Sequence, residues 1–387
     1  MDFPHSLAPL KIRGRELLPI VQGGMGVGIS AHRLAGTVAS LGAMGTIASV
    51  DLRHHHPDLL AELGRTRDQA KLEHANLIAL DREIQVARRL AQGEGMIAVN
   101  VMKAVTAHAD YVRQACESGA DAIVMGAGLP LDLPELTHGY DVALIPILSD
   151  SRGIAIVLKK WMKKGRLPDA IVIEHPGHAG GHLGAAHLDD LNDARFEFSS
   201  VIESTFALFD SLGLARDKIP LIVAGGIHSH EKVLASLAMG AAGVQLGTAF
   251  AVTQECDAHP NFKTVLAEAK PEDIVTLTSV AGLPARAVKT PWLASYLNKE
   301  TRLKEKAKAG VDRCSSGLNC LSACGLRDGL AKFGQFCIDR HLAAALRGEV
   351  NRGLFFRGSE SLPFGRAIVG VRELIAYLLT GYRPSPA

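Results

Sequence analysis

Through its first two thirds the chain alternates short, nearly continuous apolar runs with longer segments in which apolar residues recur at helical spacing. Eight runs stand out: Pro19 to Met25, Met44 to Ser49, Met96 to Met102, Ala122 to Gly128, Ala143 to Ser149, Ala170 to Glu174, Pro220 to Gly226 and Gly243 to Phe250. An apolar run without alternation suits a parallel strand buried on both faces, and each gap is long enough for a crossover helix. Eight βα units in about 250 residues predict the α/β class and, within it, a (β/α)8 TIM barrel. A doubly wound sheet is the competing arrangement. Small polar residues or glycines close nearly every run, however, and a barrel brings all of those ends to one mouth.

Two connections are longer than one helix needs. Asp51 to Gly95 carries a charged helical pattern from Arg67 to Arg89, and Gly177 to Ser200 is rich in Gly, His and Asp. Long connections on a barrel usually wall or cover its site. After Phe250 the βα rhythm stops, and Asn261 to Lys270, Tyr296 to Lys308, Ile338 to Arg347 and Val369 to Leu379 read as helices. The division expected is a barrel over 1–259, a helical, cysteine-containing cap over 260–365, and a C-terminal helix within 366–387 that returns to the barrel wall.

Composition narrows the partners. With 42 Lys+Arg against 40 Asp+Glu the formal net charge is +2, and no long basic run interleaves with aromatics, which argues against nucleic acid. The first residues lack a charged segment leading into an apolar one, and no apolar stretch reaches about 18 residues, which argues against export or a membrane partner. The expectation is a cytoplasmic protein that acts on a small molecule, with a homodimer as its assembly.

Two strand ends carry phosphate-binding character. LIVAGGI (Leu221 to Ile227) and VQLGTAF (Val244 to Phe250) are consecutive strand-to-helix turns, and Gly225, Gly226, Gly247 and Thr248 would offer main-chain N–H groups to a phosphate. The plain alternative is that these glycines only make tight turns. The sixth run ends in Glu174-His-Pro-Gly-His-Ala-Gly-Gly-His182-Leu-Gly184. A metal site from His175, His178, His182 and His187 is disfavoured, because His178 and His182 share a face only on a helix and Gly180-Gly181 interrupts one. His54-His55-His56, beside Pro57 and Asp58, reads as a solvated loop at a helix start.

In order and spacing, QGGMG (Gln22 to Gly26), VNV (Val99 to Val101), AGGHLG (Ala179 to Gly184), PLIVAGGI and GVQLGTAF resemble the nitronate monooxygenase family and its NAD(P)H-dependent flavin oxidoreductase relatives. The resemblance runs from about Pro19 to Phe250 and reaches weakly into GLFFRGS (Gly353 to Ser359). It implies FMN, bound without a covalent link, with its phosphate at Gly225, Gly226, Gly247 and Thr248. The isoalloxazine would lie against Gly23, Gly24 and Met25, near Asn100, Gly126 and Gln245, and Gly180 and Gly181 would let backbone approach it. Glu174 would contact the flavin edge or the imidazole, or cap the loop. The resemblance also makes His182 the catalytic base, and an imidazole with an ordinary pKa of about 6.5 suits proton abstraction next to a nitro or carbonyl group. Two features depart from the family. Leu148-Ser149-Asp150-Ser151-Arg152 replaces a lysine-bearing strand end, and His175 to His178 lengthens the loop before the glycine pair.

Cys314-x5-Cys320-x3-Cys324-x12-Cys337 gathers four thiols into a short segment, as an iron–sulfur cluster or zinc site would need. The spacing matches no common zinc module, and it resembles the cluster loop of flavin-barrel glutamate synthases in spacing only. Free thiols packed in the cap are the remaining reading. Three functions therefore compete. The first is FMN-dependent oxidation of an alkyl nitronate or similar carbanionic substrate with dioxygen. The second is NAD(P)H-dependent flavin reduction of a quinone or enoyl thioester, and the third a non-redox phosphate-binding barrel enzyme.

Overall fold

Each of the eight apolar runs contains a strand in the computed structural model, which describes residues 3, 5–314 and 319–383. They are β1 (Ile20–Gln22), β2 (Met44–Ala48), β3 (Met96–Met102), β4 (Ala122–Gly126), β5 (Ala143–Leu148), β6 (Ile171–Glu174), β7 (Leu221–Ala224) and β8 (Gly243–Leu246). Each pairs in parallel with the next, and β8 returns to β1 with Val244 opposite Ile20, so the sheet is a closed barrel. The fold is the (β/α)8 barrel.

The barrel interior is a packed core, as eight strands require. Ala98, Ala122, Ala143 and Ala170 alternate in size with Val21, Met44, Val124, Ile145 and Ile222, all essentially inaccessible. An N-terminal hairpin, Leu10–Ile12 against Arg15–Leu17, seals the bottom by inserting Leu10, Ile12 and Leu17 into this cluster. The chemistry is thereby confined to the opposite end.

The seam between β1 and β2 is short, with only Val21 and Met44 in register. A side chain extends it. The Thr46 N–H donates to Gln22 Oε1 at 2.9 Å, and Gln22 Nε2 donates to the Thr46 carbonyl at 3.1 Å. Gln22 is wholly buried, so its amide stands in for a strand residue and satisfies two backbone groups that water cannot reach.

The long connection after β2 forms a 23-residue helix, Gln69–Ala91, started by Asp68, whose carboxylate accepts from the Ala70 and Lys71 N–H groups. This helix fixes the histidine triplet, which is not the solvated loop the sequence suggests. His55 Nε2 donates to the Gly28 carbonyl at 2.7 Å, His56 lies 3.0 Å from Glu83, and His54 faces Asp339 at 3.7 Å. Glu83 is buried, which opposes ionisation, but His32 and His56 together outweigh that and hold its carboxyl below the usual range. Charged neighbours far along the chain thus turn a polar run into packing.

The region after β8 contains more than helices. Ile274–Thr278 and Pro284–Val288 form an antiparallel pair, and the two-residue strand Gly181–His182 adds to its edge. The C-terminal helix, Val371–Thr380, packs against helices His230–Ala238 and His32–Ser40, with His230 Nδ1 donating to the Leu378 carbonyl at 2.9 Å. Among the described residues no helix is long and apolar enough to cross a membrane.

Replacing Gln22 with Leu keeps the volume but leaves the Thr46 N–H and carbonyl unpaired inside the barrel. The expected cost is about 2–4 kcal/mol of unfolding free energy, read from urea denaturation. A loss below about 0.5 kcal/mol would show that the glutamine does not complete the seam.

Candidate active site

The C-terminal ends of the strands surround a cavity of about 270 Å3. Every residue singled out around the glycine turns borders it: Gly23, Gly24 and Met25 after β1, Asn100 in β3, Gly126 at the end of β4, and Glu174 at the end of β6. Gly180, Gly181 and His182 follow from the loop beyond β6, Gly225 and Gly226 from the turn after β7, and Gln245, Gly247 and Thr248 from β8 and its turn. Two of these glycines are required by close approach. A Cβ on Gly24 would lie 2.3 Å from Asn100 Cβ, and Gly225, at φ +95°, would press one to 2.9 Å from the His175 carbonyl.

The loop after β6 is held from outside the barrel. Leu183 N–H donates to the Pro284 carbonyl at 2.8 Å, and Gly181 and His182 stand opposite Arg286 and Ala285. Arg286 is buried, and its guanidinium donates to the carbonyls of Pro176, at 3.2 Å, and Ala179. His175 is buried as well. Its Nδ1 accepts from the Gly177 N–H at 3.0 Å and its ring meets the edge of Phe198, so it shapes the turn from outside the cavity wall. His178 borders the cavity and donates to Glu360 at 2.9 Å. Burial disfavours the Glu360 charge, but Ser359 and His178 more than compensate and hold it below the usual carboxylate range.

His182 alone of the three combines a place in the cavity wall with a buried Nε2 that meets no hydrogen-bonding partner, and its ring lies 5.5 Å from Phe356, edge to face. Burial pushes its imidazole down to about 4, and burial pushes the Glu174 carboxyl up to about 7. At pH 6 both groups are therefore uncharged.

The tail supplies contacts that spacing alone did not reveal. Phe356, Arg357, Gly358 and Glu360 line the cavity, and the Gly358 N–H donates to Thr248 Oγ1 at 3.0 Å. GLFFRGS was the only sequence signal for them. Arg286 gave none, because nothing in its own segment marks it as reaching the histidine loop. The unusual Leu148 to Arg152 segment has a structural account: Asp150 starts helix Ser151–Met162 by accepting from the Gly153 N–H at 2.7 Å.

The metal reading of the cysteines is not supported. Among the described residues no group of three or more His, Cys, Asp or Glu is placed to hold a metal ion, so the structure gives no support to Cys314, Cys320, Cys324 and Cys337 as the ligand set of an iron–sulfur cluster or zinc. Residues 315–318 of that segment lie outside the described residues. Burial raises the Cys320 and Cys324 thiols above their ordinary value.

A closed barrel with convergent polar groups at the C-terminal mouth defines a TIM-barrel enzyme. Residues 14–380 match the nitronate monooxygenase family. A probable nitronate monooxygenase of Bacillus subtilis is 28% identical over 296 residues, covering 73% of this chain and 80% of that protein. One of Staphylococcus saprophyticus is 25% identical over 294 residues, covering 71% and 76%. In fold, the chain is similar to FabK from Thermotoga maritima, at TM-score 0.63 and 21% identity over 93% of this chain and 91% of that one. It is also similar to nitroalkane oxidase from Streptomyces ansochromogenes, at 0.59 and 20% over 93% and 95%. The chain belongs to the nitronate monooxygenase family, and it is an FMN-dependent oxidoreductase.

The two shifted groups bend stability in opposite directions. The Glu174 contribution is full below its ordinary pKa of 4.5 and is lost as pH rises through about 7. The His182 contribution is full above 6.5 and is lost as pH falls through about 4. Glu174→Gln should match the parent protein in urea unfolding near pH 4.5 and exceed it at about pH 8. Equal stability at the higher pH would mean that Glu174 ionises freely in the fold.

Proposed function

We propose that this enzyme oxidises alkyl nitronates, and the nitroalkanes from which they derive, with dioxygen, using His182 as the base. The observation that carries this reading is the buried, unpartnered Nε2 of His182 at the wall of the cavity.

The cavity's residues fit FMN. Gly225 and Gly226 both adopt positive φ and both border the cavity, so this turn brings main chain to its edge without a side chain in the way. With Gly247 and Thr248 it would hold the phosphate. Gly23, Gly24, Met25, Asn100, Gly126 and Gln245 would flank the ring system, with Gly181 and Gly180, the latter packed against the Arg357–Gly358 backbone, at its border. When bound, the flavin supplies the two-electron oxidation and the passage of electrons to dioxygen.

The chain's own work is positioning and proton transfer. A neutral imidazole, kept unprotonated by burial, accepts the proton from the carbon next to the nitro group at Nε2. The imidazolium so formed then faces the nitronate anion, and the low-dielectric wall of Ile147, Leu354 and Phe356 strengthens that attraction. An uncharged Glu174 places no carboxylate against the same anion. A substrate already in the nitronate form needs binding and orientation but no base.

His182→Asn therefore separates the two substrate forms. With a neutral nitroalkane, kcat/KM for oxygen consumption should fall about 10^2- to 10^4-fold, while the preformed nitronate should lose about tenfold or less. Equal losses for both forms would remove His182 from proton transfer. Rapid NAD(P)H oxidation with a quinone, without nitronate turnover, would overturn the proposal in favour of a reductase. With neutral nitroalkane, the kcat/KM profile should show an acid limb near 4 from His182 and an alkaline limb near 7 from Glu174, the latter absent in Glu174→Gln.

A further inference from the structure

A second cavity, of about 80 Å3, adjoins the first, and His182, Val50, Met102 and Leu342 border both. The rest of its wall is of two kinds. Val27, Leu72, Val105 and Ile338 form an apolar side, while Asp51, Arg53, Asn76 and Asp339 form a charged one. Gln69 and the exposed Asn319 also line it, joined by the bond from the Asn319 N–H to Gln69 Oε1 at 3.1 Å, so the cavity leads from the imidazole towards the protein surface. At roughly 30 Å3 for each water it has room for two or three, with polar groups to hold them.

Asp51 connects these features. It follows Val50 directly, and its backbone takes φ +52°, in the left-handed region that residues other than glycine rarely occupy. Its carboxylate accepts from the Arg53 guanidinium and from Asn76 at 3.1 Å, and both bonds end on Oδ1. The other titratable groups around it are Asp339, which Arg53 also reaches at 3.4 Å, His54, 3.7 Å from Asp339, the buried phenol of Tyr111 and the Cys320 thiol. One guanidinium thus serves two carboxylates, and taking up a proton brings that set to neutrality. Burial, and then the Asp339 charge, raise Asp51 to about 6, whereas burial holds His182 down at about 4, so a proton passing from the imidazolium to this carboxylate runs downhill.

We propose that Asp51 is the proton acceptor behind the base: the proton that His182 takes from the substrate carbon leaves through the second cavity to Asp51, and from there to solvent. This inference rests on the reading of His182 as base given above. In the first transfer the C–H bond breaks, its electron pair stays with the substrate and the proton joins Nε2. In the second, an imidazolium N–H bond breaks and the proton passes over water in the cavity to the Asp51 carboxylate, leaving His182 neutral for the next substrate. The larger cavity, filled by flavin and substrate, gives that proton no way out before product leaves. Asp51 touches neither substrate nor cofactor and acts through His182.

The test compares one turnover with many, using the FMN-loaded protein and a neutral nitroalkane. In Asp51→Asn, which keeps an acceptor at Oδ1, flavin reduction in an anaerobic single turnover should match the parent, because His182 begins neutral. Steady-state kcat should fall about tenfold or more, while kcat/KM, which ends at the first irreversible step, should stay within about twofold. The preformed nitronate gives no proton to His182, so its kcat should hardly change. Imidazole buffer, which reaches His182 from the open mouth after product release, should restore kcat with the nitroalkane. Leu72→Phe fills the cavity without altering a titratable group, should produce the same split, and serves if the first variant does not fold. Parent-like steady-state turnover overturns the inference, as does a loss shared equally by the single turnover, the steady state and the nitronate, which would make Asp51 a structural support alone. If no neutral nitroalkane reduces the parent's flavin, the base reading itself fails and the relay with it, a result distinct from the other two because it is seen before any variant is made.

Discussion

The site depends on one short contact, the antiparallel pairing of Gly181–His182 with Ala285–Arg286. Without it, a loop containing four glycines between Glu174 and Gly184 would have no reason to adopt one conformation, because glycine gives up more backbone freedom on ordering than any other residue. The pairing converts the loop into an edge strand. Arg286 then gathers the carbonyls on its near side, and Phe356 supports the imidazole ring. His182 is thus positioned by residues a hundred positions or more downstream, and the barrel beneath serves as a rigid floor.

That arrangement explains what could be read in the sequence and what could not. The barrel was legible because each strand is buried on both faces and leaves an unbroken apolar run, a signal that does not depend on partners. The glycine turns were legible for a related reason: Gly24 and Gly225 are demanded by local close approach. Arg286 was illegible because its role lies in where a distant strand docks. The histidine triplet misled in the same way, since His54, His55 and His56 look solvated until Asp339, Gly28 and Glu83 are brought beside them. The strand pair within the expected helical cap is short and borrows its third strand from the histidine loop, so no periodicity announced it.

The cysteine segment shows what spacing leaves open. Four thiols close in sequence suggest a ligand set, yet Cys320 and Cys324 sit where burial favours the protonated form, and the segment's contribution is to wall a cavity. Glu174 and His182 show the opposite case, in which ordinary residues become unusual through burial. One carboxyl holds its proton and one imidazole sheds its own, so neither of these two groups adds charge to the wall.

The bond from the Gly358 N–H to Thr248 Oγ1 joins residues 110 positions apart. During synthesis, the eight strands are complete once Leu246 has been added. The wall formed by Phe356 to Glu360 and the helix Val371–Thr380, which packs against two of the barrel's outer helices, emerge only afterwards. A chain that stops after the eighth strand therefore carries every strand of the barrel but neither that chamber wall nor that outer helix.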